Sequence, residues 1–536
     1  MLPALLLLAS LDGVAAQALL RWMHSYDILE YRIEAEAETA GLQVRCRLRL
    51  RVERKGPLRF FFSTGVRDLK VTRDGAAVEA KLGAGEQEAL VRRLLPAAGL
   101  APTLLTLSPD PPLDAGEEAT FELVYLWSPP AGAFAYANQG AVQTHLSGWW
   151  VPMMADELFD AEIRVRAPAG HAAIASGLRV GEEGGAAIFR TEQPSQLLAL
   201  VVGPLVVQRT TAGGRSLEAW LPAGFEEEGG ELLADLAAIL ELLEGWFGPA
   251  PGKSLALVVE PRRTFAPSYC AGSFLLLQRH EWKALDRPRR LRLLAHECAH
   301  LWWGHRVPSS VVGGGGTWIR EGLAEWSGIR VAGSMLGEEA ERLLFRDAVR
   351  AYFERIDLRE AAAQEGGLVA REPSLEEATY LDPPRVPYFR GALVFRALEA
   401  LLGEAPLRAG LRRVAEQRAF LPTGIEEFTR LLGGEEAAWA VEFYARSTRL
   451  PDFVLEAVEV REGSVAGRVR CPDPFWRGGR VPCVVETAGG IVRIEVEVRE
   501  GGGELRWRGE GAPLRIEVDP ERVFLDPLRT NNVWRR

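Results

Sequence analysis

Two histidines, His296 and His300, stand four positions apart and bracket a glutamate in the stretch HECAH. In a helix, both imidazoles would project from one face about one turn apart and could chelate a single metal ion. Glu297 would lie beside them, placed to contact a water molecule at the metal rather than the metal itself. The alternative is a buried helix whose histidines are simply hydrogen-bonded. The spacing predicts a zinc site of the hydrolytic kind, provided that the surrounding sequence supplies the rest of the site.

The element that must carry these residues is predicted as one helix from Pro288 to Gly304, because its apolar residues recur every three or four positions. That apolar stripe comprises Leu291, Leu294, Ala295, Cys298, Leu301 and Trp302. A catalytic zinc ion needs a third protein ligand and one open position. Glu321 and Glu325 lie four apart in the next helical stretch, TWIREGLAEWSG, and either could be that ligand on spacing alone.

The 536 residues are too many for one ordinary core, and their patterning changes twice along the chain. Residues 19–207 alternate with a period of two and predict an N-terminal antiparallel β domain. Residues 208–450 predict a mainly helical domain with a small sheet, which includes the strand 254–260. Period-two alternation returns over residues 451–536 and predicts a C-terminal β-sandwich. The fold class is therefore multidomain α+β.

Charge and hydropathy argue against nucleic-acid binding and against a transmembrane helix. The net charge is −10, from 73 acidic and 63 basic residues, and without a basic block the sequence predicts no nucleic-acid partner. No segment reaches the roughly 18 apolar residues that a transmembrane helix requires. Residues 1–18 contain a short apolar stretch followed by small residues at Ala16 and Ala18, which predicts a cleaved signal peptide and a secreted or periplasmic protein. Without such cleavage the protein is cytoplasmic.

The five cysteines show no CxxC spacing, so they do not predict a cysteine zinc knuckle. Cys471 and Cys483 lie in the same β-rich region and could pair in an exported protein. The alternative is that the cysteines are small buried apolar residues.

HECAHLWWGH followed by WIREGLAEW resembles the gluzincin zinc metallopeptidases of the aminopeptidase N and leukotriene-hydrolase family. The family pattern is HExxH, eighteen residues, and then a ligand glutamate. The resemblance implies a thermolysin-like catalytic domain, with one Zn²⁺ per chain held by His296, His300 and Glu321 and with Glu297 as the general base. Here twenty residues separate His300 from Glu321, and the surplus falls in the glycine-rich stretch VVGGGGTW. Arg320 stands where the family has asparagine.

A second stretch, VPYFRGALVF, is similar to the family's Y-x-K-G-A segment. The resemblance makes Tyr388 the residue that stabilises the oxyanion, a role for which a phenol O–H directed at developing negative charge is suited. Arg390 stands where the family usually has lysine, and it is interpreted as a structural cation. The resemblance runs over most of the chain from about residue 23 to residue 530, without the family's large C-terminal helical domain.

One difference from the family pattern concerns the recognition of a substrate's free N-terminus. The family's aminopeptidases have a G-A-M-E-N strand whose glutamate binds the substrate's free α-amine, and alignment places Ala271 of SYCAG at that position. Loss of the carboxylate removes a charged partner of the amine, although Glu260 or Glu325 could replace it. The predicted function is therefore zinc-dependent peptide hydrolysis, aminopeptidase-like. The alternatives are an endopeptidase or oligopeptidase, a non-peptide hydrolase of the same fold, and a zinc-bearing binding protein without catalysis.

Overall fold

The computed structural model describes residues 22–83, 103–129, 135–144, 149–154, 157–260, 268–310, 315–364, 374–377 and 385–536, with the backbone alone over 354–364. The chain forms two compact units, residues 1–312 with 418–422 and residues 313–417 with 423–536. The predicted domain boundaries after residues 207 and 450 are not the limits of these units and stay predictions. The predicted signal peptide lies outside the described residues.

The first unit begins with fifteen strands in the described ranges, which form three sheets. They are β1 Tyr26–Glu38, β2 Gly41–Val52, β3 Leu58–Phe62, β4 Val66–Arg73, β5 Ala76–Ala77, β6 Glu79–Leu82, β7 Thr103–Ser108, β8 Glu118–Trp127, β9 Tyr136–Asn138, β10 Ala141–Gln143, β11 Asp160–Arg166, β12 Ala172–Ala175, β13 Leu178–Glu183, β14 Ala186–Arg190 and β15 Leu200–Gly203. The sheet orders are β13-β14-β11-β1-β2-β8-β4-β5, β12-β15-β10-β9 and β3-β7-β6.

The period-two patterning of this region follows from burial. In β2, after the two buried residues at its start, exposed and buried residues alternate to the end of the strand, because successive side chains of a strand point to opposite faces of the sheet. The pairing is mostly antiparallel, as the alternation predicts, but β1 pairs with β11 in parallel. The buried faces share one apolar core.

The rest of the first unit combines a sheet of parallel and antiparallel strands with three helices. Its elements are β16 Leu205–Ala212, β17 Arg215–Pro222, α1 Gly229–Phe247, β18 Ser254–Val259, β19 Tyr269–Cys270, β20 Phe274–Leu277, α2 Arg279–Ala284 and α3 Arg287–Ala299. The sheet order is β16-β17-β18-β20-β19. β17, β18 and β20 run parallel, whereas the short strand β19 returns antiparallel to β20. Strand β16 crosses the predicted domain boundary after residue 207.

The second unit is helical at first and then β. Its elements are a π-helix, π1, at Trp318–Gly322, then α4 Leu323–Leu336, α5 Glu338–Gln364, a second π-helix, π2, at Arg385–Arg390, α6 Gly391–Leu402, α7 Glu404–Gln417, α8 Ile425–Leu432, α9 Gly434–Tyr444, β21 Val454–Arg461, β22 Ser464–Arg470, β23 Gly478–Thr487, β24 Gly490–Arg499, β25 Gly503–Arg508, β26 Pro513–Val518 and β27 Val533–Arg535. The strands form the antiparallel sheets β21-β22-β25 and β24-β23-β26-β27.

The predicted fold class is confirmed: an N-terminal β region, a mainly helical region with a small sheet, and C-terminal β sheets follow one another along the chain. In the described ranges no helix combines the length and the apolar character that crossing a membrane requires. Cys471 and Cys483 are buried free thiols, as are the other three cysteines, so the structure favours the interpretation of small buried residues over a disulfide.

Candidate metal centre

The histidine-bearing helix α3 is set up by its own sequence. The carboxylate of Asp286 caps its N-terminus by accepting a hydrogen bond from the amide of Arg289 at 3.1 Å. Pro288 stands in the first turn, where the missing amide hydrogen costs nothing. The helix then carries His296 into the protein interior, where its side chain is 7% exposed. The start of this helix is therefore marked by its own sequence.

The helix ends at Ala299, so the predicted end at Gly304 is wrong. The amides of Leu301 and Trp302 donate to carbonyls three residues back rather than four, which tightens the chain into turns. Gly304 has a φ of 128°, a value outside the helical range. His300 nevertheless keeps helical backbone angles (φ −62°, ψ −17°), so its side chain still lies one turn beyond His296.

The two imidazole rings meet edge to face, with centroids 4.9 Å apart and planes at 87°. The Nδ1 atom of His300 lies 3.0 Å from the carbonyl oxygen of Trp303. A carbonyl only accepts, so Nδ1 donates the hydrogen in this contact, and Nε2 is the nitrogen left to bind a metal ion. Metal-binding histidines commonly donate their second nitrogen to a carbonyl in this way.

Glu321 lies within the π-helix π1. Single π-helical turns are uncommon and often occur at functional sites. Its carboxylate is 4% exposed, and its Oε1 atom lies 3.4 Å from Nε of Arg320. The arginine that replaces the family's asparagine therefore forms an ion pair with the neighbouring glutamate.

The ligand atoms of His296, His300 and Glu321 lie within 4.8 Å of one another, and all three side chains are buried. Two imidazole nitrogens and one carboxylate oxygen form a donor set that catalytic zinc sites use, with a fourth position left for water or substrate. The residues therefore fit a zinc ion. Glu325 is also buried, one turn further along, but it does not belong to this group.

Glu297 is 5% exposed and follows His296 directly. Cys298 follows Glu297 directly. Burial raises the pKa of the Cys298 thiol, and both Cys270 and the Glu297 carboxylate raise it further. Cys298 is therefore a neutral thiol at physiological pH and makes a poor metal ligand, since metals bind the thiolate.

Tyr388 lies in π2 and is half-buried. The segment is held at its end by Arg390, which is 1% exposed. Its Nη2 group donates to the carbonyl oxygens of Tyr444 at 3.1 Å and of Ser447 at 2.9 Å. These contacts support the interpretation of Arg390 as a structural cation.

Ala271 lies in the tight turn after β19, with its amide donating to the carbonyl of Phe274 at 2.8 Å. Its side chain is buried in the apolar core, and the preceding carbonyl, that of Cys270, lies 3.2 Å from Nε2 of His305. Elsewhere in this unit, Glu260 is fully buried directly after β18.

Four tryptophans, at positions 149, 150, 302 and 303, differ in burial. Trp150, Trp302 and Trp303 are fully buried. The indole of Trp150 donates to the carbonyl of Leu198, and that of Trp302 donates to the carbonyl of Gly248. Trp149 is half-buried and packs against Phe61. Core packing therefore accounts for these residues.

Gln143 is a buried polar residue that sequence reasoning missed. Its side chain is fully buried at the end of β10, and neither atom of its amide has a hydrogen-bond partner within the described ranges. Leaving such a group unpaired is costly, which makes it a position where water or a ligand would bind. The stretch AVQT carries no spacing that could have singled it out.

Comparison with protein families gives one match: residues 269–441 match the peptidase family M1 domain. This segment includes HECAH, Glu321 and Tyr388, and the match confirms the family resemblance. A comparison with curated proteins finds no match.

Solved structures give similarity to an M1 zinc metallopeptidase from Deinococcus radiodurans. Its structure is 20% identical in sequence, with a TM-score of 0.58 over 80% of this chain and 96% of that chain. A variant of the enzyme gives a TM-score of 0.59 at 19% identity with the same coverage. The variant bound to a Tyr-Ser-Ala substrate gives 0.58 at 19% identity. At this identity the likeness shows a shared fold.

The domain match and the shared fold agree with the coarse predictions of a metallopeptidase and of zinc as its metal. Aminopeptidase specificity, the residue roles and the one-to-one zinc stoichiometry stay predictions.

Proposed function

We propose that this protein hydrolyses peptide bonds with a zinc ion held by His296, His300 and Glu321. The observation that carries the proposal is the buried group of two imidazole nitrogens and one carboxylate oxygen within 4.8 Å. When bound, zinc would supply Lewis-acid chemistry, polarising the scissile carbonyl and making a water molecule more acidic.

Glu297 is the proposed general base. It is next to a metal-binding histidine yet outside the ligand group, so its carboxylate can take a proton from the attacking water. The same carboxyl group then delivers that proton to the leaving amine. Its burial, at 5% exposure, keeps bulk water from competing for the proton.

Tyr388 is the proposed oxyanion stabiliser. Its phenol donates a hydrogen bond to the carbonyl oxygen as negative charge develops there. The half-buried position of the ring in π2 supports this role, because one side of the residue is held by the protein while the other remains accessible.

The decisive test measures zinc and cleavage together on a mixed peptide library analysed by mass spectrometry. The wild-type protein is expected to carry one zinc per chain and to lose cleavage with a chelator and regain it with added zinc. Glu297→Gln keeps the size and burial of the side chain but cannot take the proton, so kcat should fall at least ~100-fold with zinc retained. A Glu297→Gln protein that cleaves as fast as wild type would rule out the proposed base.

The finer part of the proposal is aminopeptidase-like specificity. A structural neighbour was solved with a Tyr-Ser-Ala substrate, which supports short peptides as substrates here. Ala271 offers no carboxylate for a free amine, so we propose that a buried glutamate, Glu260 or Glu325, supplies the replacement charge.

Matched peptides with free and acetylated N-termini test this specificity. Stepwise cleavage of the free peptides alone would support an aminopeptidase, and Glu260→Gln and Glu325→Gln would then identify the anchor as the variant that loses the preference. Equal cleavage of both peptide sets would instead establish an endopeptidase or oligopeptidase.

A further inference from the structure

Two glycines in the second unit bring the backbones of two site-bearing segments into direct contact. Gly322 follows Glu321 at the end of π1, and Gly391 follows π2, which contains Tyr388. A Cβ atom added at Gly322 would lie 3.0 Å from Cα of Gly391, and one added at Gly391 would lie 2.9 Å from Cα of Gly322. Side-chain carbons rarely lie this close to a backbone, so a methyl group at either position would force the two segments apart.

Trp318 closes this contact from the side. Its Cδ1 atom would lie 2.8 Å from a Cβ at Gly322 and 2.9 Å from a Cβ at Gly391. Its ring stacks on Phe395 of α6, with centroids 5.0 Å apart and planes at 17°. The indole nitrogen lies 3.4 Å from the carbonyl oxygen of Gly391. Trp318 and Phe395 are fully buried, so the contact has no room to open without disturbing the core.

A second link joins the same two helices further along. Arg330 of α4 lies 3.1 Å from the carboxylate of Glu399 of α6, and the two side chains are 17% and 14% exposed. Burial raises the pKa of Glu399, whereas Arg330 acts to lower it. Helices α4 and α6 are therefore linked by a backbone contact at their beginnings and by an ion pair beyond it.

We propose that the Gly322–Gly391 contact, closed by Trp318, is a positioning device that sets the distance between the Glu321 carboxylate and the Tyr388 phenol. Neither glycine needs to touch substrate. Each lies within three residues of its site residue, on backbone that can transmit a displacement directly. The inference rests on the proposed function, since it assigns the device to a ligand and an oxyanion donor. A displacement of about 1 Å at such a site costs on the order of 100-fold in rate.

Gly391→Ala is the primary test, measured beside wild type for kcat, KM, zinc affinity and urea unfolding. We expect kcat to fall at least ~10-fold with KM within about twofold, because the added methyl displaces the phenol rather than the substrate pocket. For Gly322→Ala we expect a loss of zinc affinity of about 10-fold to 100-fold, because this residue adjoins the proposed ligand.

Gly410→Ala is the matched control. A Cβ at Gly410 of α7 would lie 2.6 Å from the carbonyl oxygen of Leu432, so the substitution makes a comparable backbone clash on a helix without proposed site residues. We expect lower stability, with kcat and zinc affinity within about twofold of wild type. Equal losses of kcat in Gly410→Ala and Gly391→Ala would overturn the proposal, and so would wild-type kcat and zinc affinity in folded Gly391→Ala and Gly322→Ala proteins.

The double variant tests whether the two glycines act as one contact. Once one methyl has separated the segments, the second should cost less, so the combined effect on zinc affinity and on the unfolding equilibrium should be smaller than the product of the single effects. Fully multiplicative effects would show two independent sites. If Gly391→Ala does not fold, Gly322→Ala alone tests the device. Wild-type zinc affinity in that variant would contradict the proposal.

The two proposals fail in different ways. If wild-type protein cleaves no peptide, the proposed function fails, while zinc affinity and the coupling between the glycines still report on the contact. If wild type cleaves and Glu297→Gln does not, but the glycine variants behave like the control, only the positioning device fails.

Discussion

The histidine helix and the two π-helical segments supply different parts of one candidate site, and they are held in place by different means. Helix α3 is capped by Asp286 within its own sequence, and the spacing of its histidines is a property of helical geometry. The segments with Glu321 and Tyr388 depend on a glycine contact, a buried tryptophan and an ion pair between helices. Local sequence therefore marks the start of α3 and the spacing of its histidines, whereas contacts between residues far apart in sequence join the other two segments.

The largest expected effect comes from removing a histidine ligand of helix α3. His300→Ala removes one of the two ligands from α3, so zinc content should fall below about a tenth of wild type and kcat/KM should fall at least ~1,000-fold. Metal analysis and peptide cleavage measure both. Retained zinc in this variant would show that the helix does not provide the metal site.

Two single substitutions test which of the buried glutamates, Glu321 or Glu325, is the metal ligand. Glu321→Gln should weaken zinc binding at least ~100-fold, since a neutral amide is a poor ligand. Glu325→Gln changes the same type of buried side chain one turn further on and should leave zinc affinity within about threefold. Competition with a metal-sensitive dye measures both variants. The reverse ranking would make Glu325 the ligand.

Tyr388→Phe tests the π2 segment independently of the π1 segment that contains Glu321. Loss of one hydrogen-bond donor to the oxyanion should lower kcat about 10-fold to 1,000-fold, with KM and zinc affinity close to wild type. Steady-state kinetics and metal titration check this expectation. An unchanged kcat would leave Tyr388 as a structural residue only.

The smallest expected effect concerns the connection between β26 and β27, where burial shifts the pKa of a carboxyl group. Burial raises the pKa of Asp526 to about 7, against hydrogen bonds from the amides of Phe453 and Leu528 that lower it. Its pKa in the unfolded chain is about 3.9. The folded protein therefore holds a proton that the unfolded chain releases, and this contribution to stability is full below pH ~4 and is lost as the pH rises toward 7.

Asp526→Asn cannot ionise, so the free energy of unfolding should fall less steeply between pH 5 and pH 7 than in wild type, with a difference of about 1–3 kcal/mol over that window. Urea unfolding at several pH values gives the slopes. Asp114→Asn is the control, because the carboxylate of Asp114 is 75% exposed, and it should keep the wild-type slope. Identical slopes in all three proteins would contradict a proton held at Asp526.

The sequence predicted the elements with strong local patterns, but it placed the end of the histidine helix wrongly. The helix that bears His296 was expected from apolar spacing, but its end at Ala299 depends on turn hydrogen bonds that the spacing does not show. Strand 254–260 was expected and β18 ends at Val259, within one residue. Gln143 carries no local signal, because what distinguishes it is burial without a partner.

By itself, the sequence determined the chemistry that two histidines and a glutamate can perform, because four residues of helix fix their spacing without help from the rest of the chain. On spacing alone it could not choose between Glu321 and Glu325, since twenty residues separate His300 from Glu321 and twenty-four separate it from Glu325, which leaves the approach of either one open. Only the tertiary structure placed Glu321 with the histidines and brought Gly322 against Gly391. Packing decides such matters because close contact between distant segments depends on the shapes of both, and no local pattern encodes that shape.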